Sequence, residues 1–167
     1  AQGVGFVVEL PRPALPARVT GSCVVLDQVQ DPGNVGSIIR TCAAAGVQTV
    51  LLTAGSAAAW SPKVLRAGQG AHFAVVIHEE LAAETVAERL AVPAIVTELG
   101  AAASLYQAAL PHPAAWVFGH EGRGVGPVLM RRASCRVSIP QTAGVESLNV
   151  AAAAAVCLFE QRRRLLA

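Results

Sequence analysis

The order of short apolar runs and Ala-rich segments along the chain constrains its fold more than any other feature. Runs rich in β-branched residues alternate with segments of helical length, which is typical of βαβ units and a parallel sheet. Several runs are apolar at nearly every position, as expected of strands that helices cover on both faces. The predicted strands are residues 5–9, 23–26, 49–52, 73–77, 94–97, 115–118 and 136–139. We therefore predict an α/β fold with a mostly parallel sheet and helices on both of its faces.

Helix signals follow most of these strands. They consist of capping residues such as Asn34 and Ser61, prolines suited to a first helical turn, and a terminating glycine at position 46. The predicted helices are residues 34–45, a segment that begins at Pro62, residues 79–90, a short segment that begins at Pro127, and residues 148–163. The last helix is apolar on nearly every face, so we expect it to be buried on more than one side and to favour self-association.

Composition excludes several classes of protein. Of the 167 residues, 53% are hydrophobic and 14% are charged, which excludes an intrinsically disordered chain. The longest stretch of low polarity, residues 150–159, is short of the roughly 20 apolar residues that span a bilayer, and the first residues lack the regions of a signal peptide. We therefore predict a soluble, cytoplasmic protein without a membrane partner. The spacing of the four cysteines fits neither a CxxC pair nor a zinc module, so we predict reduced thiols and no metal site.

The positive charge is modest but unevenly placed. The formal net charge is +2, far below that of a dedicated nucleic-acid binder, yet every basic residue except Lys63 is an arginine. Arginine offers a planar fork of donors suited to phosphate, so an RNA or nucleotide partner is permitted. Clusters at residues 131–136 and 162–164 have a second interpretation, because arginines at a helix end also complement the helix dipole.

Three loops carry residues that core packing does not require. Residues 26–40 run from a strand end into a helix N-terminus, where free backbone amides can bind an anion. We expect Asn34 and Arg40 to line the same side of that helix, although ordinary turn chemistry and capping would also explain the loop. Residues 137–150 contain Ser147 and Asn149, of which one can cap the last helix while the other faces a ligand.

The loop of residues 118–127 contains four glycines in eight positions, which indicates backbone that bends tightly or lets a ligand approach closely. Glu121 in this loop is either a solvated turn residue or a functional carboxylate, and His120 fits a variable loop position better than a general base. An HExxH zinc site would need histidine at position 124, which is glycine. The glycine spacing is not GxGxxG, and the lone Lys63 does not lie in a GxxxxGK motif, so dinucleotide and P-loop sites are disfavoured.

In their order along the chain, these segments resemble the signature motifs of the SpoU/TrmH-like branch of the SPOUT superfamily. The first motif is matched by DPGNVG at residues 31–36 with Arg40, the second by VFGHEGRG at 117–124, and the third by IP at 139–140 with SLNV at 147–150. Residues 61–71, SPKVLRAGQGA, are similar to a segment that the family carries between its first two motifs. Members of this branch are RNA ribose 2'-O-methyltransferases that use S-adenosylmethionine.

The resemblance implies a homodimer in which a C-terminal trefoil knot holds the cofactor in its loops. It also implies an RNA partner, with ribosomal RNA favoured over transfer RNA, and no metal. The residues that match cofactor-binding positions are Thr97, Gly119, Ile139 and Leu148. The residues that match the family's catalytic polar positions are Asn34, Arg40, Glu121, Ser147 and Asn149.

The chain departs from the family at Ala151, where many members carry serine, and this suggests that the hydroxyl is dispensable. Many members also have an N-terminal RNA-binding domain, which would lie before Ala1. We interpret residues 1–19, with the Pro-containing linker 10–16, as an N-terminal strand and linker at the end of such a domain. Residues 20–167 are then the catalytic domain, and one domain is the expectation at this length.

Methyl transfer is an in-line displacement, so the enzyme must align a ribose hydroxyl with the methyl carbon and make it nucleophilic. The resemblance places Arg40 beside the hydroxyl, but a guanidinium with a pKa above roughly 12 is a poor base. Our hypothesis is that Arg40 binds the adjacent RNA phosphate and that a phosphate oxygen or a water accepts the proton. Asn34, Ser147 and Asn149 would then orient ribose and cofactor, while Glu121 fixes its loop or another charged group.

Three other interpretations stay open from the sequence. A nicotinamide dehydrogenase shares the βα alternation but lacks its glycine fingerprint here. A catalytically silent RNA-binding module would keep the fold without the activity. A purely structural α/β domain would leave Arg40, Glu121 and Asn149 without a common purpose.

Overall fold

A parallel β-sheet forms the centre of the molecule. The computed structural model describes residues 3, 7–142, 144 and 147–167, and within these it has seven strands and five α-helices. The strands are β1 (Cys23–Asp27), β2 (Thr49–Thr53), β3 (Val76–Leu81), β4 (Ala94–Thr97), β5 (Ala103–Ser104), β6 (Ala115–Gly119) and β7 (Ala133–Ser138). The helices are α1 (Pro32–Ala45), α2 (Pro62–Gly68), α3 (Ala83–Arg89), α4 (Pro127–Arg132) and α5 (Val150–Leu166), with a short 3-10 helix at Ala71–Phe73.

The strand order across the sheet is β3-β2-β1-β6-β4-β7-β5, and each neighbouring pair in it is parallel. This confirms the predicted α/β class. From β1 the chain builds outward through β2 to β3, and the remaining strands lie on the other side of β1. In open parallel sheets ligands bind outside the carboxyl ends of the strands, where the strand order reverses. The topology therefore directs the search for a site to the loops after β1, β4, β6 and β7.

Both faces of the sheet are covered, as the apolar runs predicted. On one face, Val24 and Leu26 of β1 belong to a cluster that includes buried residues of α1 and α5. On the other, Cys23 and Val25 pack in a cluster with residues of α3 and α4. All five residues of β1 are buried, which explains why its sequence does not alternate between polar and apolar residues.

Several predicted boundaries were wrong. The prediction of a strand at 73–77 missed the 3-10 helix that holds Phe73, and the strand begins instead at Val76. The predicted helix 79–90 is divided, because its first residues extend β3 and α3 covers only Ala83–Arg89. Of the predicted first strand, residues 7–9 have no regular secondary structure and residues 5 and 6 lie outside the described residues.

Capping also differs from the prediction at α1. The N-cap is Asp31, whose carboxylate accepts a hydrogen bond from the backbone N–H of Asn34 at 2.8 Å. Asn34 is therefore inside the first turn, and its side chain is free to act elsewhere. Helix α5 begins two residues later than predicted, and Asn149 is its N-cap. The short strand β5 was not predicted, because two residues give no periodic signal.

The arginines near the C-terminus serve the fold. Arg163 and Arg164 both donate to the buried Glu160, and these hydrogen bonds lower the pKa of its carboxyl to about 2. Arg164 also donates to the backbone carbonyl of Leu105 at 2.6 Å, and Arg162 donates to that of Ala45 at the end of α1. The contacts of this cluster are thus structural, with Glu160, with a loop carbonyl and with the end of α1.

The cysteines and the helices each bear on which functions the chain can have. Burial raises the pKa of the thiols of Cys23, Cys42 and Cys157 to about 12, so they stay protonated and unreactive at neutral pH. Among the helices that the structure describes, none combines the length and apolar character needed to cross a bilayer.

Helices α1 and α2 touch at Gly36. A Cβ at this position would come within 2.5 Å of both the Val64 carbonyl oxygen and the Ala67 side chain. Such distances lie well inside van der Waals contact, so only glycine lets the two helices pack this closely. This contact places α2 directly against the helix that carries Asn34 and Arg40.

Replacing Gly36 with alanine should therefore destabilise the fold. We expect the free energy of unfolding to fall by about 1–3 kcal/mol through overpacking, although alanine favours a helix by about 1 kcal/mol. Urea denaturation gives this quantity. Gly21→Ala is the matched control, because a Cβ there meets nothing within 4 Å, and it should change stability by less than about 0.5 kcal/mol. Equal stability of the two variants would contradict the close-packing explanation.

Candidate functional site

A cavity of about 300 Å³ lies at the carboxyl edge of the sheet. It opens where β4, β6 and β7 end and where α5 begins. Its lining includes all of the sequence-predicted cofactor positions, namely Thr97, Gly119, Ile139 and Leu148. It also includes three of the predicted catalytic residues, namely Glu121, Ser147 and Asn149. Because the strands are parallel, their carboxyl ends meet at this edge and bring loops together that are far apart in the sequence.

The loop between β6 and α4 forms one wall of the cavity. His120 and Gly124 pair through two backbone hydrogen bonds of 3.0 and 2.8 Å, which fold the loop back on itself. The Nδ1 atom of His120 accepts a further hydrogen bond from the backbone N–H of Gly122 at 2.9 Å. His120 thus stabilises the turn, and its contacts with the described residues are those of a structural residue.

Gly119 has a reason to be glycine within this loop. A Cβ there would lie 2.2–2.3 Å from the backbone of Gly124 and Val125, so no other residue fits without moving the turn. Gly119 also lines the cavity. A larger side chain would therefore distort the wall itself, whatever the cavity binds.

The carboxylate of Glu121 joins this loop to the start of α1. Its Oε1 atom accepts from the Asn34 side-chain amide at 3.0 Å and from the backbone N–H of Asp31 at 3.2 Å. Its Oε2 atom accepts from the backbone N–H of Gln30 at 3.4 Å. Desolvation raises the pKa of Glu121, but these hydrogen bonds together hold it below its ordinary value. The residue is thus an ionised acceptor at the point where two loops meet.

Asn34 extends the connection to the last helix. Its Oδ1 atom accepts from the side-chain amide of Asn149 at 3.0 Å. The Oδ1 atom of Asn149 accepts from the backbone N–H groups of Ala151 and Ala152, at 2.9 and 3.2 Å, in the first turn of α5. We call Glu121, Asn34 and Asn149 the polar brace. It links loops from three distant parts of the chain, and two of its three members line the cavity.

The other two predicted catalytic residues, Ser147 and Arg40, are exposed and do not belong to the polar brace. Ser147 is exposed at the cavity lining, just before the cap of α5. Arg40 is exposed on α1, outside the lining, and it makes no hydrogen bond or salt bridge with the part of the chain that the structure describes. Its side chain is therefore exposed to solvent, where a partner can reach it.

Sequence reasoning missed several lining residues. Phe118 and Val150 lie within the second and third motifs but were not singled out there, and the others lie outside the quoted motifs, namely Glu98, Leu99, Val125, Gln141 and Ala153. A usable signal existed for three of them, since Glu98 and Leu99 follow a predicted strand and Phe118 ends another. Glu98 is held by a salt bridge to Arg136 on β7, with 3.6 Å between the charged atoms.

The character of the cavity suits a small organic ligand with both polar and charged groups. Its volume is at the lower end of the roughly 300–1,000 Å³ range of small-molecule sites. Apolar side chains such as Leu99, Ile139 and Leu148 lie beside the carboxylates of Glu98 and Glu121. Of the described lining residues, those two are the only ones that are charged at neutral pH with histidine neutral. The lining therefore favours a ligand with apolar surface and a positive charge over a phosphate.

Comparison with known proteins agrees with this geometry. The profile of the SpoU rRNA Methylase family matches residues 21–159. A Synechocystis sp. protein described as an uncharacterized tRNA/rRNA methyltransferase is 37% identical over 144 residues, which cover 84% of this chain and 53% of that protein. The 23S rRNA (guanosine(2553)-2'-O)-methyltransferase RlmP of Bacillus subtilis is 34% identical over 173 residues, covering 96% of this chain and 65% of that protein.

Solved structures give the same result. The AdoMet-bound rRNA methyltransferase from Sinorhizobium meliloti superposes with a TM-score of 0.81 at 32% identity, over 92% of this chain and 60% of that one. The chain thus spans between about half and two thirds of the length of these relatives. The family resemblance read from the motifs is confirmed by a profile match that covers most of the chain. The chain belongs to the SpoU rRNA methylase family.

Proposed function

We propose that this chain transfers a methyl group from S-adenosylmethionine to a ribose 2'-hydroxyl of RNA, with ribosomal RNA favoured over transfer RNA. The observation that carries the proposal is the convergence of three motif loops on one cavity, held together by the polar brace. Relatives named as rRNA 2'-O-methyltransferases support the reaction type. Because the chain spans only part of those proteins, the substrate of the whole protein is part of the proposal.

The cavity residues would hold the cofactor in this proposal. Thr97, Gly119, Ile139 and Leu148 provide the backbone and apolar surface for it, and the carboxylates of Glu98 and Glu121 suit its positive charge. When bound, S-adenosylmethionine supplies an electrophilic methyl group on a sulfonium. A related rRNA methyltransferase is described as AdoMet-bound in its solved structure, which supports the choice of cofactor.

The chain's own residues then have to bring the ribose to the cavity. Arg40 is exposed on α1, the helix that also carries Asn34 of the brace, so its guanidinium can bind an RNA phosphate next to the reacting ribose. Ser147 lies exposed at the cavity lining, where its hydroxyl can orient the ribose. The proton of the 2'-hydroxyl passes to a phosphate oxygen or a water, because the guanidinium stays protonated at neutral pH.

The brace residues position the site. The side-chain amide of Asn34 donates to Glu121, and its Oδ1 atom accepts from Asn149. The Oδ1 atom of Asn149 in turn accepts from the first turn of α5. They therefore hold the walls of the cavity at fixed separation. Correct orientation of reactants supplies about 7–11 kcal/mol of barrier reduction in favourable intramolecular models, so rigid walls matter for the rate.

The assembly is part of the proposal. We propose a homodimer with α5 at its interface, a trefoil knot in the C-terminal loops as the family resemblance implies, and a cytoplasmic location together with the RNA substrate. Residues 1–19 would connect the catalytic domain, 20–167, to an RNA-binding domain. The exposed apolar side chains of α5 support the interface.

Transfer of radiolabelled methyl groups to total RNA tests the proposed activity. We expect incorporation into RNA that depends on S-adenosylmethionine and maps to ribose 2'-O positions. Calorimetry with S-adenosylmethionine in the absence of RNA separates cofactor binding from catalysis. Cofactor binding without any methyl transfer would favour the silent RNA-binding module instead.

Arg40→Ala should separate the two activities. We expect S-adenosylmethionine affinity to stay close to that of the wild type, because Arg40 lies outside the cavity lining. Methylation should fall by about two orders of magnitude or more, the scale of a lost substrate-positioning contact. Arg18→Ala, an exposed arginine away from α1, is the control and should keep the activity. Equal loss of affinity and methylation would contradict the phosphate-binding role.

The pKa of Glu121 makes the brace sensitive to acid. Because the folded-state pKa lies below the ordinary value of 4.5, ionisation of Glu121 stabilises the fold above that pH. This stabilisation is lost as the pH falls through the lower, folded-state pKa. We expect Glu121→Gln to show a shallower acid loss of unfolding free energy, measured by urea denaturation from about pH 7 to about pH 3. Glu88→Gln, at an exposed carboxylate on α3, is the control and should follow the wild-type curve. If the curve of Glu121→Gln is also parallel to that of the wild type, the result contradicts the stabilising role of Glu121 in the brace.

The α5 interface predicts a dimer at micromolar concentration. Phe159, Leu165 and Leu166 on this helix are 48%, 55% and 75% exposed, although the helix is otherwise well packed. We expect sedimentation to show dimers for the wild type and a shift to monomers for Phe159→Glu. Phe73→Glu is the matched control, since Phe73 is 95% exposed on the 3-10 helix. Monomeric wild-type protein would remove the interface from the proposal.

A further inference from the structure

A buried carboxylate behind the cavity wall has no place in the proposed chemistry. Asp27 is the last residue of β1 and is only 4% exposed. Burying an ionised carboxylate costs several kcal/mol unless it is well hydrogen-bonded, so its partners should show what it does. It does not line the main cavity but borders a second cavity of about 330 Å³.

Both oxygens of Asp27 bind groups on other elements. The Oδ2 atom accepts a hydrogen bond of 2.6 Å from the backbone N–H of Gly126, the residue that precedes α4. The Oδ1 atom accepts from the hydroxyl of Thr53, at the end of β2, at 3.0 Å. A Cβ at Gly126 would lie 3.0 Å from the Oδ2 atom, so glycine there permits the close approach.

The same residue also fixes the other end of the loop. In the sheet register Asp27 is opposite Gly119, the last residue of β6. The segment 119–126 therefore starts beside the backbone of Asp27 and ends on its side chain. Between these two points lie His120, Glu121, Gly124 and Val125, all of which line the cavity.

We propose that Asp27 is a positioning residue that closes the 119–126 loop and so sets the shape of the cofactor cavity. The inference rests on the proposed function only in naming S-adenosylmethionine as the ligand. Glu121 ties the middle of the loop to the start of α1, and Arg123 donates to Gln28 at 3.0 Å on the same side. Of these contacts, the one from Asp27 is the most buried and therefore the most shielded from water.

The test compares three variants by calorimetry with S-adenosylmethionine and by thermal melting. Asp27→Ala leaves the Gly126 N–H without its acceptor and should weaken binding by about tenfold, the scale of one unsatisfied buried donor. Asp27→Asn should restore most of the affinity, because its Oδ1 atom can accept from Gly126 while its amide donates to Thr53. The Thr53 hydroxyl then turns to the Leu26 carbonyl, which already lies 3.4 Å away.

Thr53→Val is the matched control. It removes the other partner of Asp27, together with the acceptor of the Gln28 backbone N–H, but keeps the bond to Gly126. Affinity should therefore stay within about twofold of the wild type. If Thr53→Val weakens binding as much as Asp27→Ala does, the effect is general packing and the proposal is wrong. Unchanged affinity in a folded Asp27→Ala variant, or failure of Asn to restore it, would also overturn it.

Two further measurements keep the test decisive. If Asp27→Ala does not fold, Gly126→Pro removes the same N–H from the other side, at a backbone φ of −66° that proline accepts. It should weaken binding to a similar extent, and wild-type affinity in this variant would reject the positioning role of Asp27. Hydrogen exchange of the Gly126 amide needs no cofactor. Faster exchange in Asp27→Ala supports the role of the Asp27–Gly126 hydrogen bond, and unchanged exchange rejects it. If the wild-type protein binds no S-adenosylmethionine, that result rejects only the proposed function.

Discussion

The hydrogen bonds to the Glu121 carboxylate are the interaction on which the site depends. They connect the loop after β6 to the loop after β1, and through Asn34 they reach the N-terminus of α5. The sheet alone would bring these loops to one edge, because parallel strands end on the same side. It would not fix the distance between them. The carboxylate does this with several weak contacts at a site that is still partly exposed to water, so the strength of the brace comes from their number.

Much of this arrangement could be predicted from the sequence. The apolar runs around residues 24 and 117 marked central strands, and the turn residues after them marked the functional loops. Predictions failed where the residue pattern of a segment fits both a helix and a strand. Residues 79–81 fit an amphipathic helix, but pairing of Leu81 with Thr53 extends β3 through them instead. Tertiary contacts decide such cases, and local propensity does not contain them.

Partners in space were harder to predict than elements. Glu160 has its two arginine partners at helical spacing along the sequence, but its burial comes from the packing of α5, which the sequence does not show. Asp27 lay in the predicted loop 26–40, and only the structure shows that it ends β1 opposite Gly119 and accepts from Gly126, at both ends of another loop. Each depends on a neighbour that is distant along the chain or on the way a helix packs. A single sequence carries no direct signal for that.

The residue types in the brace follow from the direction of its hydrogen bonds. The first amides of α5 donate to the Oδ1 atom of Asn149, whose own amide must then donate onward. Asn34 accepts that bond with its oxygen and passes a donor to Glu121, so every bond points toward the carboxylate. Aspartate at position 34 would place two negative groups in contact, and serine would be too short to span the gap. Aligned hydrogen bonds polarise one another, and this series of hydrogen bonds ends at Glu121, the only brace residue that carries a full charge. The helix dipole of α5 and the charge of Glu121 are thereby joined through two neutral amides, which explains why asparagine stands at both positions.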